Sequence, residues 1–109
     1  MELYRLEQFI GGWFLGNFSP TLETSSQMEV GLKRYPKGAV EPIHHQLVST
    51  EYTLIVSGRC RIGSHILEPD DILCIPPMEA ADFEALEDVV LVAIKTPSLS
   101  ADKVLGQPS

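Results

Sequence analysis

The stretch EPIHHQLVSTEYTLIVSG, residues 41–58, carries most of what this sequence says about fold and function. It reads as two strand segments joined by a short bend, because polar and apolar residues alternate in its second half and a glycine ends it. Extended backbone places His44 and Gln46 on one strand face and His45 on the other. Glu51 opens the second strand, so these side chains converge if both faces line a barrel. A register slip of one residue would exchange His45 for its neighbours.

Strand-like runs fill most of the remaining chain, at residues 12–18, 28–35, 60–66, 71–76 and 89–95. No long stretch repeats apolar residues with a helical period. Many short strands separated by Gly, Pro and Asp turns predict an all-β sandwich or barrel. We divide the single domain into N-terminal strands at 1–27, a barrel at 28–96 and a polar tail at 97–109.

Composition narrows the classes of function. The 109 residues suit one domain, and a formal charge of −7 without a Lys/Arg cluster disfavours nucleic acid and anionic membranes as partners. No apolar run approaches the ~20 residues of a membrane span. Residues 1–16 lack the basic start of a signal peptide, so we expect a cytoplasmic protein.

Cys60 and Cys74 have no CxxC spacing and are expected to be buried, reduced thiols.

The spacing within and around residues 41–58 resembles the first motif of the cupin family. That motif reads glycine, five residues, His-x-His, three or four residues, glutamate, six residues, glycine. Four residues match it in type and spacing: Gly38, His44, Glu51 and Gly58. Gln46 stands where the second histidine belongs.

Residues 70–85 fit the frame of the second cupin motif with less agreement. Pro76 keeps the proline of that motif. Four other positions are replaced: Asp70 and Met78 stand for glycines, Ala81 for the histidine and Ala85 for the asparagine. The resemblance covers roughly residues 28–95. It implies a jelly-roll barrel, the double-stranded β-helix, with a pocket at one mouth and a homodimer as a common assembly.

The resemblance also implies a metal site, which this chain would keep only in part. The usual cupin site has three histidines and a carboxylate, whereas here His44 and Glu51 remain, Gln46 offers a weaker amide oxygen and Ala81 offers no ligand. Such a set could hold a divalent metal (Mn, Fe, Ni or Zn) loosely, with water completing the shell. The alternatives are a metal-free pocket in which these side chains hydrogen-bond each other, and a slipped register that uses His45.

Four further residues bear on the pocket and on assembly. Arg34 follows Met28, Val30 and Leu32 on one strand face and could hold an anion at the pocket mouth. Phe83 shares the face of Ala81 and could form an apolar wall. Trp13 and Phe14 are successive, so one enters the core and the other needs cover from the tail or a second subunit.

These observations favour a cupin that binds a small polar, sugar-like molecule in a pocket containing His44, Gln46, Glu51, Arg34 and Phe83. Two alternatives stay open. One is a metal-dependent cupin enzyme of the sugar isomerase/epimerase or dioxygenase type, with Glu51 and His44 as an acid/base pair. The other is a non-catalytic structural or regulatory dimer. The sequence contains no GxSxG, P-loop or GxGxxG motif.

Overall fold

A computed structural model describes residues 1–109 and contains ten β-strands. One 3-10 turn, Leu6–Gln8, precedes them. The strands are β1 Trp13–Leu15, β2 Glu29–Tyr35, β3 Val40–Gln46, β4 Thr50–Ser57, β5 Cys60–Ile62, β6 His65–Leu67, β7 Ile72–Ile75, β8 Ala81–Ala85, β9 Val89–Thr96 and β10 Lys103–Leu105.

The strands form two five-stranded antiparallel sheets. The first sheet has the order β1-β2-β9-β4-β7, and the second has the order β10-β3-β8-β5-β6. Consecutive strands β3 and β4 lie in different sheets, as do β7 and β8, so the chain crosses repeatedly between the two layers. The all-β, jelly-roll prediction is therefore confirmed.

The apolar core lies between the sheets. It consists of Ile55, Cys60, Ile62, Leu67, Phe83, Ala85, Val89, Leu91 and Ala93. Those of β5, β8 and β9 recur at every second position, as a period-two strand requires for one buried face, and β4 and β6 contribute one residue each. Four of them, Ile62, Phe83, Leu91 and Ala93, also line a cavity between the sheets, so the core forms part of the apolar wall of that cavity.

Strand β2 turns its polar residues toward the cavity and its apolar residues outward, the reverse of what an apolar core would predict. Its polar positions Glu29, Lys33 and Tyr35 line the cavity between the sheets. The alternate positions, Val30 and Leu32 among them, therefore lie on the outer face of the first sheet. The reason is that the barrel interior is polar at this end.

Gly31 allows an aromatic ring to lie on β2. Trp13 of β1 is paired with Gly31, and a Cβ placed on Gly31 would lie only 2.7 Å from Cε3 of that indole. The close approach brings Trp13 into the cavity wall. Its neighbour Phe14 is half-buried and lies on the opposite face of the strand.

The C-terminal segment is built into the second sheet. Strand β10 pairs with β3 along its edge, so that Val104 lies opposite His45. Asp102, which is 7% exposed, accepts hydrogen bonds from the backbone N–H groups of Val48 at 2.9 Å and Ser49 at 3.0 Å. The tail therefore holds the bend between β3 and β4 in place.

The two cysteines have different surroundings, and both are free thiols. Cys60 is buried in the core, and burial raises the pKa of its thiol to about 11, which keeps it protonated and unreactive. Cys74 is exposed, so the expectation of a buried thiol is wrong at that position. It lies at an outward position of β7, where no core packing covers it.

None of the helical segments is long and apolar enough to cross a membrane.

Candidate functional site

A cavity of about 230 Å³ lies between the two sheets. Four of the five residues predicted to form a pocket line it: His44, Gln46, Glu51 and Phe83. Arg34 does not line this cavity; it lines a neighbouring one, which shares Lys33, Tyr35 and Glu41 with it. The prediction assigned Arg34 to the face of Val30 and Leu32, and that face turns outward, because Lys33 and Tyr35 occupy the inward positions.

An irregularity in β3 brings two polar side chains into the cavity. The pairing of β3 with β8 shifts between Glu41 and His44. Residues three positions apart lie on opposite faces of a regular strand, but because of this shift both side chains line the cavity. His44 lies directly opposite Ala81. The position where the cupin motif has its third histidine therefore faces His44 with only a methyl group.

The two histidines are held by backbone carbonyls. Nδ1 of His44 lies 3.2 Å from the Pro42 carbonyl oxygen, and Nδ1 of His45 lies 2.8 Å from that of Gly106. A carbonyl only accepts, so Nδ1 of each ring is the donor. For neutral His44 this leaves Nε2 as a lone-pair acceptor. The ring of His45 is tied to the tail by its bond to Gly106.

Gln46 is a buried amide with no partner. The residue is 3% exposed, and neither its side-chain Oε1 nor its Nε2 makes a hydrogen bond within the protein. Its backbone carbonyl accepts from the Met78 N–H at 2.7 Å, so the residue itself is fixed in place. Buried polar groups are nearly always hydrogen-bonded, and those that are not commonly face a water, an ion or a ligand.

Glu51 is a second buried polar group at the cavity. Burial raises the pKa of its carboxyl, and the opposing effects of Lys95 and His44 do not cancel that rise. Lys95 is its register neighbour on β9, with Nζ 3.9 Å from Oε1 of Glu51. That separation is too long for a hydrogen bond. Both the carboxyl and the ammonium thus have hydrogen-bonding capacity left for a ligand.

Three lysines in the cavity wall were missed by the sequence reasoning. Lys33, Lys95 and Lys103 line the cavity, and the chain has only one other lysine, Lys37. The Nζ atoms of Lys33 and Lys95 lie 5.6 and 5.1 Å from the centroid of the Trp13 ring. Alternation along the strands could have indicated them, because Lys33 shares a strand face with Glu29 and Tyr35. Lys95 is the one charged residue of β9.

The wall next to Lys33 is aromatic and acidic. Tyr35 donates its hydroxyl to Oε1 of Glu41 at 2.6 Å, and its ring centroid lies 4.5 Å from that of Phe83. Burial, followed by the hydrogen bond to Glu41, raises the pKa of Tyr35. The phenol therefore stays neutral. Phe83 is buried beneath it as part of the wall.

These side chains do not fit the divalent metal that the cupin resemblance implies. No group of three or more His, Cys, Asp and Glu side chains is placed to hold a metal ion. The predicted set of His44, Gln46 and Glu51 supplies one imidazole, one neutral amide and one carboxylate. That carboxylate faces the Lys95 ammonium, whose positive charge repels a cation.

No protein-family model and no curated protein sequence matches this chain. Solved structures do match its fold. An uncharacterised conserved protein with a double-stranded β-helix domain from Klebsiella pneumoniae has a TM-score of 0.72 at 16% identity, over 97% of this chain and 92% of that one. KdgF from Halomonas sp. has a TM-score of 0.65 at 19% identity, over 69% of this chain and 74% of that one.

A third similar structure is a sugar phosphate isomerase of the cupin superfamily from Silicibacter pomeroyi. Its TM-score is 0.61 at 21% identity, over 67% of this chain and 52% of that one. Identities this low establish shared architecture and leave the ligand to be argued from the cavity itself. Together with the sheet order and the cavity between the sheets, these similarities show that the chain has the cupin fold, the double-stranded β-helix.

Proposed function

We propose that this protein binds a small polar ligand in the cavity between its sheets and needs no metal to do so. The observation that carries the proposal is Gln46, whose buried amide offers an unused donor and an unused acceptor. An unsatisfied buried polar group costs about 1–3 kcal/mol, which a ligand that pairs with both atoms would recover.

The cavity wall suits a molecule with both polar and apolar faces. Trp13, Phe83 and Leu91 provide apolar surface, while Gln46 and Glu51 provide hydrogen-bonding groups. A volume of about 230 Å³ suits a ligand of roughly sugar size. Sugar-like compounds combine hydroxyl groups with an apolar ring face, and an indole ring offers a surface for that face.

The fluorescence of Trp13 provides a direct test. It is the single tryptophan of the chain and lies in the cavity wall, so a bound ligand should change its emission. We expect titration with a panel of sugars and sugar acids to give a saturable change. Gln46→Met keeps the side-chain length but removes both polar atoms, and it should weaken binding at least tenfold. Equal affinity in both proteins would contradict the proposal.

A metal-independent acid/base enzyme is the second candidate. The observation that favours it is the pair of Glu51, whose burial raises its carboxyl pKa, and His44, which faces the same cavity with Nε2 available. The test is a bound ligand incubated in deuterated water and followed by NMR. Exchange of a carbon-bound proton that stops in Glu51→Gln, while binding persists, would favour this candidate over a binding protein.

A further inference from the structure

We infer that the ligand is a small carboxylate carrying hydroxyl or keto oxygens, and that Lys95 is the side chain that binds its carboxylate. This inference rests on the proposed function and adds the charge of the ligand to it. The supporting observations are the placement of the lysines, the unused donors of Lys95 and the neighbouring Gln46 amide.

The lysines are concentrated in one place. The chain has a formal charge of −7, with 15 acidic residues against 8 basic ones. Yet three of its four lysines, contributed by β2, β9 and β10, line a single cavity. Lys103 and Lys95 both act on Lys33, whose pKa is lowered first by burial, raised by the negative charge of Glu41 and lowered again by these two positive charges. Ammonium groups held this close repel each other, and an anion between them would relieve that repulsion.

The ammonium groups of Lys95 and Lys103 make no hydrogen bond within the protein, and Lys95 is the less exposed of the two. Lys33 donates to the Gly11 carbonyl oxygen at 2.6 Å, whereas no protein atom accepts a hydrogen bond from Lys95. The Lys95 side chain is only 14% exposed, so water replaces few of those bonds. An incompletely paired ammonium in such a setting is costly. A ligand carboxylate would supply the missing hydrogen-bond acceptor.

The acidic residues of the wall do not fill this role, since most already have partners. Five acidic residues line the cavity: Glu29, Glu41, Glu51, Glu79 and Asp82. Glu29 accepts from the Ser98 hydroxyl at 3.0 Å, Glu41 accepts from Tyr35, and Asp82 is paired with Arg61 through both oxygens. Glu79 is exposed in the turn before β8.

Glu51 is the acid nearest to Lys95, and its position favours a shared ligand. Its Oε1 stays 3.9 Å from Nζ, so neither group satisfies the other. A carboxylate between them could accept from Lys95 and, when Glu51 is protonated, from its hydroxyl. Gln46 would then pair with a hydroxyl or keto oxygen of the same ligand. A neutral sugar would leave Lys95 unpaired, and a cation would be repelled by it.

The test uses pairs of related ligands in which one member carries a carboxylate and the other is uncharged. D-glucuronate is compared with D-glucose, and 2-oxoglutarate with its dimethyl ester, each followed by Trp13 fluorescence and by calorimetry. We expect at least one carboxylate to bind and its uncharged counterpart to bind at least tenfold more weakly. This comparison needs only the wild-type protein, so it does not depend on any variant folding.

Two variants then locate the anion site. Lys95→Gln should reduce carboxylate affinity at least tenfold. Lys37→Gln removes the one lysine outside the cavity and should leave affinity unchanged. Equal binding of a carboxylate and its neutral counterpart would overturn the inference and leave the proposed function standing. A carboxylate that binds Lys95→Gln and wild type equally would also overturn it. Absence of binding by all four compounds at 10 mM would count against both proposals.

Discussion

Gln46 keeps a primary amide inside the barrel with neither of its atoms hydrogen-bonded. A side chain selected only for stability would be apolar at such a position, because the unmade bonds weaken the folded state. We infer that the amide is retained because it recognises a ligand, since functional groups often reduce the stability of the folded state.

The Gln46→Met variant should therefore be more stable than the wild-type protein. Methionine has a similar length and fills irregular space, and it leaves no polar atom unsatisfied. We expect the free energy of unfolding to increase by about 1–2 kcal/mol, measured by urea denaturation without ligand. Gln27→Met, at an exposed loop position, is the control and should change stability by less than about 0.5 kcal/mol. A destabilised Gln46→Met would show that the amide has partners after all.

Glu51 should make stability depend on pH in a defined direction. Burial raises its folded-state pKa above the ordinary value of 4.5, so the folded protein holds this proton to higher pH than the unfolded chain. Stability therefore falls as pH rises from about 4.5 through the folded-state pKa, and the loss is complete above it. Glu51→Gln removes this loss.

Thermal melts of wild type and Glu51→Gln at pH 4 and pH 8 measure the effect. The variant should gain in Tm relative to wild type as pH rises. Glu87→Gln, in an exposed turn, is the matched control. An advantage of Glu51→Gln that shrinks toward pH 8 would mean that Lys95 stabilises the carboxylate more than burial penalises it.

At the scale of elements, the tail and the bend between β3 and β4 depend on each other. Asp102 accepts from two backbone N–H groups of the bend, and the Ser49 hydroxyl donates to the Pro97 carbonyl oxygen at 2.7 Å. Burial alone would raise the pKa of Asp102, but the N–H groups of Ser49 and Val48 outweigh it and hold that pKa below its ordinary value. The carboxylate is therefore an integral part of the folded structure.

Asp102→Ala should destabilise the protein by about 2–3 kcal/mol at pH 7, because it removes two charge-assisted bonds and leaves buried N–H donors unpaired. The folded-state pKa is depressed, so this contribution is present above about pH 4 and is lost as pH falls through that lower pKa. Asp88→Ala, which removes one exposed bond to the Lys37 N–H, should cost under about 1 kcal/mol. Urea melts at pH 7 and pH 3 compare them, and similar losses in both variants would contradict the account.

At the scale of the whole molecule, the outer face of the first sheet is apolar and uncovered. It spans four adjacent strands and includes Val30, Leu32, Tyr52, Leu54, Val56, Ile72, Val90, Val92 and Ile94. These nine residues are uncharged in a chain that has 15 acids, and Arg34 of β2 lies on the same face. Ile72 is 67% exposed and Val56 is 48% exposed, values unusual for aliphatic residues on a contiguous sheet face.

We propose that a second copy of the chain covers this face. Two acidic molecules repel each other in general, but the strands of this face contribute no acidic side chain to the contact, and the face is the same on both copies, as a twofold interface requires. A dimer through this face also agrees with the alternative of a structural or regulatory protein, and it leaves the cavity on the inner side of the sheet free.

Leu54→Glu would place a charge at the centre of the proposed contact. We expect wild type to run at twice the 12.0 kDa chain mass in light scattering, and the variant to run as a monomer. Leu22→Glu, at an exposed loop position, should leave the mass unchanged. A monomeric wild type at about 100 μM would refute the proposal.

The sequence determined the strand character, the all-β fold and the frame that brings His44, Gln46 and Glu51 to one cavity. These follow from period-two alternation, turn residues and motif spacing, which are all local properties of the chain. They are visible without knowing which strands pair.

Only the tertiary structure decided which face of each strand turns inward. Alternation defines the two faces of β2 but does not show which one turns inward. The apolar face with Val30 and Leu32 lies outside because the cavity interior is polar. Lys33 was overlooked for this reason, and Arg34 lies on the outer face. Lys95 meets Glu51 through strand pairing across 44 positions of sequence, and Asp102 meets Ser49 across 53. Such long-range pairings depend on sheet order, which local patterns do not encode.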